Sequence, residues 1–381
     1  MQVNSFSNNH NGSSKSLFEV EVQAPANIAL IKYWGKKGPQ LPLNANCSLN
    51  LNQCFTTTKI KLIANANLAK SDQKVSIDYQ FYNYKGELES SPHPRLLAFL
   101  ENAKKDFPWM NQYTLQISSH NNFPHAAGIA SSASAFAALA LGLCLMELKL
   151  RPELDWTYEQ IFQEASKLAR TGSGSACRSL MSGLAVWGEH PLLSSPDKSS
   201  NEFAISHFKE KLEDTQHFFH QLMNVVLIVN TQKKSISSSI GHNSMQGHDF
   251  LENRLVQAQQ HFTHLYESIL SNNWINFGQI VEQEACSLHA LMLTARPPYC
   301  LMHAHTLEIM QRIWLERSEN KLPIYFTLDA GANVHLLYLK SDEARVKNFI
   351  ENDIAEFLVE QKWIFNQTGM APHFQWQRKD L

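Results

Sequence analysis

Four stretches of this sequence concentrate residue types able to hold and move anions. The first runs Asn122-Phe-Pro-His125-Ala-Ala-Gly128-Ile129-Ala130-Ser131-Ser132-Ala-Ser134 into an Ala- and Leu-rich segment. A helix starting there presents unpaired N–H groups and partial positive charge. Small residues let a polyphosphate approach that backbone. An ordinary Ser-capped helix has the same composition, and both readings stand at this point. The second is Arg170-Thr-Gly172-Ser173-Gly174-Ser175-Ala176-Cys177-Arg178-Ser179. Hydroxyls, turn amides and a forked guanidinium can grip a carboxylate or phosphate, or else form a solvated surface turn. The third, Asn27-Ile-Ala-Leu-Ile-Lys32-Tyr33-Trp34-Gly35-Lys36-Lys37, sets basic and aromatic groups at the close of an apolar strand. Lys32 in that context either reaches an anion or snorkels to water. The fourth is Phe326-Thr-Leu-Asp329-Ala-Gly331-Ala332-Asn333. Its carboxylate ends an apolar strand beside a tight turn, which requires a cationic partner if buried and is a common turn role if not.

Other motifs are absent or weak. There is no G-x-x-x-x-G-K-[ST], and Gly172 to Cys177 fails G-x-G-x-x-G at its last position. His303 and His305 stand two apart and point different ways on a helix, so with nearby His289 they read as structural or exposed rather than as metal ligands.

These segments must be positioned by strands and helices. Phe18, Val20 and Val22 alternate with polar neighbours, a strand that Pro25 is expected to end. Further strands are expected over 56–62, 75–82 (with a turn at Lys85-Gly86-Glu87), 113–118, 180–187, 223–230, 324–328 and 334–339. Helices are expected over 96–103, 131–148, 157–169, 250–270, 274–290, 301–317 and 342–357. The segment over 131–148 is apolar nearly all round and should be buried. Thr157 with Gln160 forms a capping box. Strands and helices mix without regular βαβ alternation, which indicates an α+β fold in two lobes. The Ser- and Pro-rich stretch 190–201 is the expected linker, giving a polar, disordered tail over 1–17, an N-terminal domain over 18–190 and a C-terminal domain over 202–381.

Composition sets outer bounds. The chain has 381 residues, 44% hydrophobic and 18% charged, which excludes disorder over its whole length. Lys plus Arg is 33 and Asp plus Glu 35, a net charge of −2. A general nucleic-acid or membrane-surface binder would show a basic excess, so neither partner is expected, although a local basic pocket for a small anion remains open. The polar start lacks the apolar core of a signal peptide, and the apolar stretch over 133–146 is shorter than the ~20 residues of a bilayer span. Six cysteines, at 47, 54, 144, 177, 286 and 300, match no zinc spacing and read as reduced thiols. A soluble, cytoplasmic protein is the expectation.

Together the four segments resemble the diphosphomevalonate decarboxylase family of the GHMP kinase superfamily. The resemblance lies in Ala24-Pro-Ala-Asn27-Ile-Ala-Leu-Ile-Lys32-Tyr-Trp-Gly-Lys36, Asn46-Cys-Ser-Leu49, Asn121-Asn-Phe-Pro124 with 126–133, Gly172 to Ser179, and Asp329-Ala-Gly-Ala-Asn333, in the same order over roughly 18–340. It implies a two-lobed GHMP kinase fold with the active site in the inter-lobe cleft. It also implies ATP- and Mg²⁺-dependent conversion of (R)-5-diphosphomevalonate to isopentenyl diphosphate, the last step of the mevalonate route to isoprenoids. Family members are often homodimers, which carries over by analogy alone.

The resemblance further implies roles for residues. Asp329 orients or deprotonates the C3 hydroxyl, Lys32 neutralises the moving phosphoryl group, Arg178 pairs with the substrate carboxylate and Asn27 holds that guanidinium. Tyr33, Trp34, Gly35, Lys36, Arg95 and the run Ser173, Gly174, Ser175, Ala176, Cys177 surround the substrate. Gly128, Ala130, Ser131, Ser132 and Ser134 cradle ATP, with Ser131 or Ser132 touching Mg²⁺. Departures from the family pattern are His125 for threonine, Ile129 for leucine and Ala332 for proline, the last expected to loosen the turn carrying Asp329. The Lys233-Lys234 pair is kept, and one of Ser237, Ser238 or Ser239 is expected near diphosphate. A monophosphate-specific decarboxylase and a 3-kinase of the same superfamily are the alternative enzymes, and a non-catalytic ATP-binding scaffold is the alternative outside enzymes.

Overall fold

The computed structural model describes residues 16–64, 76–89, 94–124, 129–193, 200–208, 212, 216–232 and 234–377. Gly128, His125 and Lys233 lie outside them, as do 1–15 of the expected tail and 194–199 of the expected linker. Residues 16 and 17 already belong to a strand.

The first half of the chain is a sheet covered by helices. Strand β1 (Ser16–Ile31) pairs antiparallel with the long β4 (Asn46–Ala64), and the short hairpin β2 (Lys36–Lys37) and β3 (Leu41–Pro42) lies between them in sequence. Pro25 does not end β1. The register shifts between Pro25 and Ala26, so the proline sits at a bulge, where its missing N–H breaks no regular ladder. Next come β5 (Ser76–Tyr82), β6 (Leu88–Glu89), α1 (Pro94–Ala103), β7 (Tyr113–Asn121), α2 (Ser131–Leu150), α3 (Tyr158–Gly172), β8 (Leu184–Trp187) and β9 (Ile205–His207). The sheet runs β6-β5-β7-β4-β1, with β8 pairing the far end of β4 and β9 pairing β8. Helix α2 is buried through most of its 20 residues against this sheet. It is long and apolar enough, by length and composition, to cross a membrane, but here it is the core helix. The Thr157–Gln160 capping box starts α3 as expected. The expected strand over 180–187 is shorter, because Gly174–Leu180 is a 3₁₀ turn.

The second half centres on β10 (Leu222–Leu227), followed by α4 (Ser238–Asn243), α5 (Leu251–Leu270), α6 (Trp274–Leu293), α7 (Ala304–Glu319), β11 (Tyr325–Thr327), β12 (Val334–Leu339), α8 (Glu343–Phe349), β13 (Trp363–Gln367) and β14 (His373–Gln377). An antiparallel sheet β11-β12-β10-β13 carries its core. The helix expected over 342–357 breaks into α8, a π turn and a 3₁₀ turn, and two further strands follow it. The last, β14, pairs with β1 in the first sheet. A shared apolar cluster joins the halves, packing Ala26, Ile28 and Leu30 of β1 against Phe262, Phe277 and Tyr325. The fold is α+β, and the end of β1 and the β11–β12 turn are brought to one place by this seam.

Candidate active site

Where β1 ends, the chain turns the side chain of Lys32 inward. Its Nζ lies 3.3 Å from Asp329 Oδ1 and donates to the Ala29 carbonyl at 2.6 Å. Lys32 is 2% exposed and Asp329 23%. Burial pulls the ammonium below the ordinary lysine range, and Asp329 opposes that pull. The Lys32 backbone N–H donates 2.8 Å to Glu284 Oε2 on α6. Glu284 is fully buried, gripped by both Arg254 nitrogens at 2.7 and 2.6 Å and by His261 Nδ1 at 2.6 Å. Burial alone would raise its pKa, but His261, Arg254 and the Lys32 amide hold it at about 2. The pair Lys32–Asp329 is thus anchored from behind by a second, sealed ion cluster.

Asp329 is held by its turn. The Asp329 carbonyl accepts from Gly331 N–H at 2.7 Å and faces His289 Nε2 at 3.1 Å. Asn333 Oδ1 accepts from the Val229 and Asn230 amides, and Thr306 donates to the Ala332 carbonyl at 2.7 Å. Lys234 donates to the Ala330 carbonyl and to Ser238. With so many ties, Ala332 in place of proline does not leave the turn loose, contrary to the sequence expectation.

Arg178 sits on the 3₁₀ turn after α3, 2% exposed. Its guanidinium donates to Ser48 Oγ at 3.1 Å, to Asn46 Oδ1, and to Asn27 Oδ1 at 3.3 Å. Asn27 in turn donates to Ser179 Oγ and to the Ser175 carbonyl, at 2.8 and 3.1 Å. All the guanidinium's acceptors are neutral. Among the described residues no carboxylate is hydrogen-bonded to this buried guanidinium, although Asp329 acts on it through space, and such a cation favours an anionic ligand.

One hollow, with about 770 Å³ of open space including its mouth, gathers these groups from both halves. Lys32, Asp329 and Arg178 all line it, with Lys36, Arg95 and Lys234 adding positive charge. Tyr33, Trp34, Ala130, Ser132, Ser173, Gly174 and Ser175 complete the wall expected from sequence. Among the described residues Tyr33 Oη is buried without a hydrogen-bond partner. A Cβ at Gly174 would stand 2.6 Å from that oxygen, so only glycine lets the ring lie there.

Several sequence assignments are corrected. Ala176 and Cys177 pack into the first core, and burial lifts the Cys177 thiol to about 12, so neither side chain faces the hollow. Ser134 is sealed, hydrogen-bonded to Thr56 Oγ1 at 2.6 Å and to the Ser131 carbonyl, so it braces α2 against β4 instead of facing a ligand. Gly35 contributes only its amide, which donates to His242, and Asn27 stands behind Arg178 rather than in the wall. Ser237 caps α4, leaving Ser238 and Ser239 in the lining.

Ser131 opens onto a neighbouring cavity lined by Tyr79, Phe81, Leu96, Ile117, Phe136 and Leu139, and this cavity shares Arg95 and Ser132 with the hollow. It is largely apolar with several hydroxyls in its lining, and Ala130, left-handed at φ 47°, starts α2 between the two spaces.

Sequence reading missed Glu284 and His242, whereas His289, read as structural or exposed, is buried against the Asp329 carbonyl. A detectable signal existed for Glu284, which falls in the apolar stripe Phe277, Val281, Ala285, Leu288, where a carboxylate must be paired. Among the described residues no cluster of three metal-type ligands occurs. His303 instead caps α7, and His305 bonds the Phe357 carbonyl.

The two sheets, the buried helix start and the cation-walled hollow between them match solved structures of the GHMP kinase fold. Residues 24–201 match the diphosphomevalonate decarboxylase-like N-terminal domain, and 224–375 match the mevalonate 5-diphosphate decarboxylase C-terminal domain. The diphosphomevalonate decarboxylase of Candida albicans is 30% identical over 348 residues, covering 88% of each chain. The mevalonate diphosphate decarboxylase from Enterococcus faecalis is similar in structure, with TM-score 0.74 and 27% identity over 94% of this chain and 99% of that one. A structure described as MDDEF in complex with MVAPP, AMPPCP and magnesium superposes with the same TM-score, identity and coverage. The chain belongs to the diphosphomevalonate decarboxylase family.

Proposed function

We propose that this chain uses ATP to decarboxylate (R)-5-diphosphomevalonate, releasing isopentenyl diphosphate, ADP, phosphate and CO₂. The observation that carries this reading is the convergence of Asp329, Lys32 and Arg178, whose guanidinium is hydrogen-bonded to neutral acceptors, on one hollow built from both halves. A tertiary alcohol is a poor leaving group. Asp329 orients the C3 hydroxyl and takes its proton as the oxygen attacks the γ-phosphate, and Lys32 balances the charge that moves. Arg178, held by Asn27, Asn46 and Ser48, grips the substrate carboxylate with its remaining N–H edges. When phosphate departs, positive charge develops at C3, and the C–C bond to the carboxylate supplies the electron pair as CO₂ leaves. Lys36, Arg95, Tyr33, Ser173 and Ser175 serve the diphosphate, and catalysis is mainly positioning and electrostatics.

The apolar cavity beside Ser131 suits a nucleobase, and the start of α2 lies between it and the hollow, where phosphates would pass. Mg²⁺ fits as an ion carried by the nucleotide. The donor set near α2 is hydroxyl rather than a carboxylate cage, and phosphate-borne Mg²⁺ needs few protein oxygens. Ser131 or Ser132 would touch it, and when bound it neutralises phosphate charge. The chain divides around the 190–201 linker into two domains, with β9 and β14 beyond it both pairing back into the first sheet, and a cytoplasmic location and, by analogy with family members, a homodimer complete the reading.

The test incubates purified protein with ATP, Mg²⁺ and either mevalonate monophosphate or diphosphate, following ADP and CO₂ separately. Equal release of both from the diphosphate is expected. ADP without CO₂ would make the protein a 3-kinase, and preference for the monophosphate would make it the shorter-substrate decarboxylase.

A further inference from the structure

His242 lies on α4, in the wall of the hollow, and has no part in the proposed reaction. Its ring is clamped between aromatic neighbours, 4.3 Å from the Tyr33 ring centroid and 4.8 Å from that of Trp34. The helix that carries it is pressed onto Trp34, since a Cβ at Gly241 would stand 2.5 Å from that indole. The Gly35 backbone N–H donates to His242 Nδ1 at 3.1 Å. A ring nitrogen that accepts cannot also carry the proton, so the neutral imidazole has its hydrogen on Nε2. The ring stays neutral at ordinary pH. Burial lowers its pKa to about 3, and Lys36, Lys234, Arg95 and Arg178 push the same way. Among the described residues no acceptor is bonded to Nε2, while the charged groups that act on the ring are cations. A fixed donor without a protein acceptor, set among cations in an open wall, is matched by an anionic ligand oxygen.

We propose that His242 is a substrate-binding residue whose Nε2–H donates to a phosphate oxygen of the bound diphosphate. This rests on the reading of the hollow given above and deepens it. Lys36, Lys234 and Arg95 offer charge on flexible or shared side chains, whereas His242 offers one direction only. Its ring is held by Tyr33, Trp34 and the Gly35 amide, so little freedom is lost on binding. The same three contacts also tie the substrate-facing segment 33–35 to α4 in the second half of the chain.

Two measurements test it. In the wild-type protein, long-range ¹⁵N–¹H spectra of the histidines, with His242 assigned by its loss in His242→Phe or in His242→Gln, should show a neutral ring protonated on Nε2 at pH 7. The Nε2 resonance should move on titration with inorganic pyrophosphate. In kinetics, His242→Phe keeps the stacked ring but removes the donor, and KM for the diphosphate substrate should rise roughly ten- to hundredfold, with kcat changed less than about threefold. His242→Gln, which can accept from Gly35 and still donate, should recover most of that loss. A proton found on Nδ1, a resonance unmoved by saturating pyrophosphate, or an unchanged KM in His242→Phe would each overturn the assignment. The pyrophosphate titration requires no turnover. A protein that releases no CO₂ yet shifts His242 would therefore sink the decarboxylase reading alone, and the spectra decide the question if the Phe variant does not fold.

Discussion

Replacing Arg178 by lysine separates a role in gripping substrate from a role in charge alone. The guanidinium makes three hydrogen bonds, from Nε to Ser48, from Nη1 to Asn46 and from Nη2 to Asn27. Asn27, Asn46 and Ser48 are all buried. A lysine ammonium, shorter and pointlike, can satisfy one of these acceptors without moving the turn and leaves about two unpaired. At ~1–3 kcal/mol for each unsatisfied buried group, stability should drop by about 2–6 kcal/mol. Turnover should fall further than stability explains, because a two-pronged hold on the carboxylate becomes a single contact. At ~1.4 kcal/mol per tenfold, losing one charge-assisted bond and its alignment corresponds to a fall of about a hundredfold or more. The assay is CO₂ release at saturating ATP, run at a temperature where circular dichroism shows the variant folded, with nucleotide affinity measured alongside. Nucleotide binding should hold, since Arg178 does not line the cavity beside Ser131. Turnover within threefold of wild type would refute the carboxylate role, and a stability loss below ~0.5 kcal/mol would refute the reasoning about its neutral cage.

Asp329→Asn should fold and bind nucleotide normally yet lose turnover by several orders of magnitude, read by single-turnover ADP formation. The Ala29 carbonyl still accepts from Lys32 and limits the cost of losing the carboxylate. Glu284→Ala should cost about 3–5 kcal/mol in urea denaturation, because Arg254 is left buried without its partner; a loss under 1 kcal/mol would show the cluster to be dispensable. Stability should also decline as pH falls below 6.5. Burial is the first cause that holds His242 at about 3 and His289 and His335 at about 4, so the unfolded chain binds protons there that the folded chain refuses. Each imidazole forfeits on the order of 2 kcal/mol by pH 5, and Glu284 adds to the loss between 4.5 and about 2. Denaturant midpoints equal at pH 7 and pH 5 would contradict these burials.

Local chemistry makes much of this molecule legible in its sequence. The Thr157–Gln160 box, the buried helix at 131 and the alternating strand before Pro25 depend on neighbours within a few residues, and each appears where expected. So do the anion-binding strings themselves, because lysine, arginine and aspartate set in apolar or glycine-rich runs are costly unless used. What the one-dimensional pattern could not express is direction and partner. Pro25 reads as a stop, yet the chain passes it because β4 lies alongside and absorbs a bulge. Ser134 and Cys177 read like Ser132 and Ser175 in composition, and only the packing of α2 and of the turn at 174–180 turns the first two into the core.

The largest share of the site was decided by contacts between distant parts of the chain. Lys32 and Asp329 are 297 residues apart, and Lys32 and Glu284 are 252 apart. The sequence alone determined that a cation near 32, a guanidinium near 178 and a carboxylate near 329 would need partners. Only the tertiary structure decided that two of them pair with each other, that the third is left with neutral acceptors, and that His242 points its ring among them. The physical reason is that burial energies make demands residue by residue, whereas their satisfaction depends on which surfaces the apolar seam between the two sheets brings into contact.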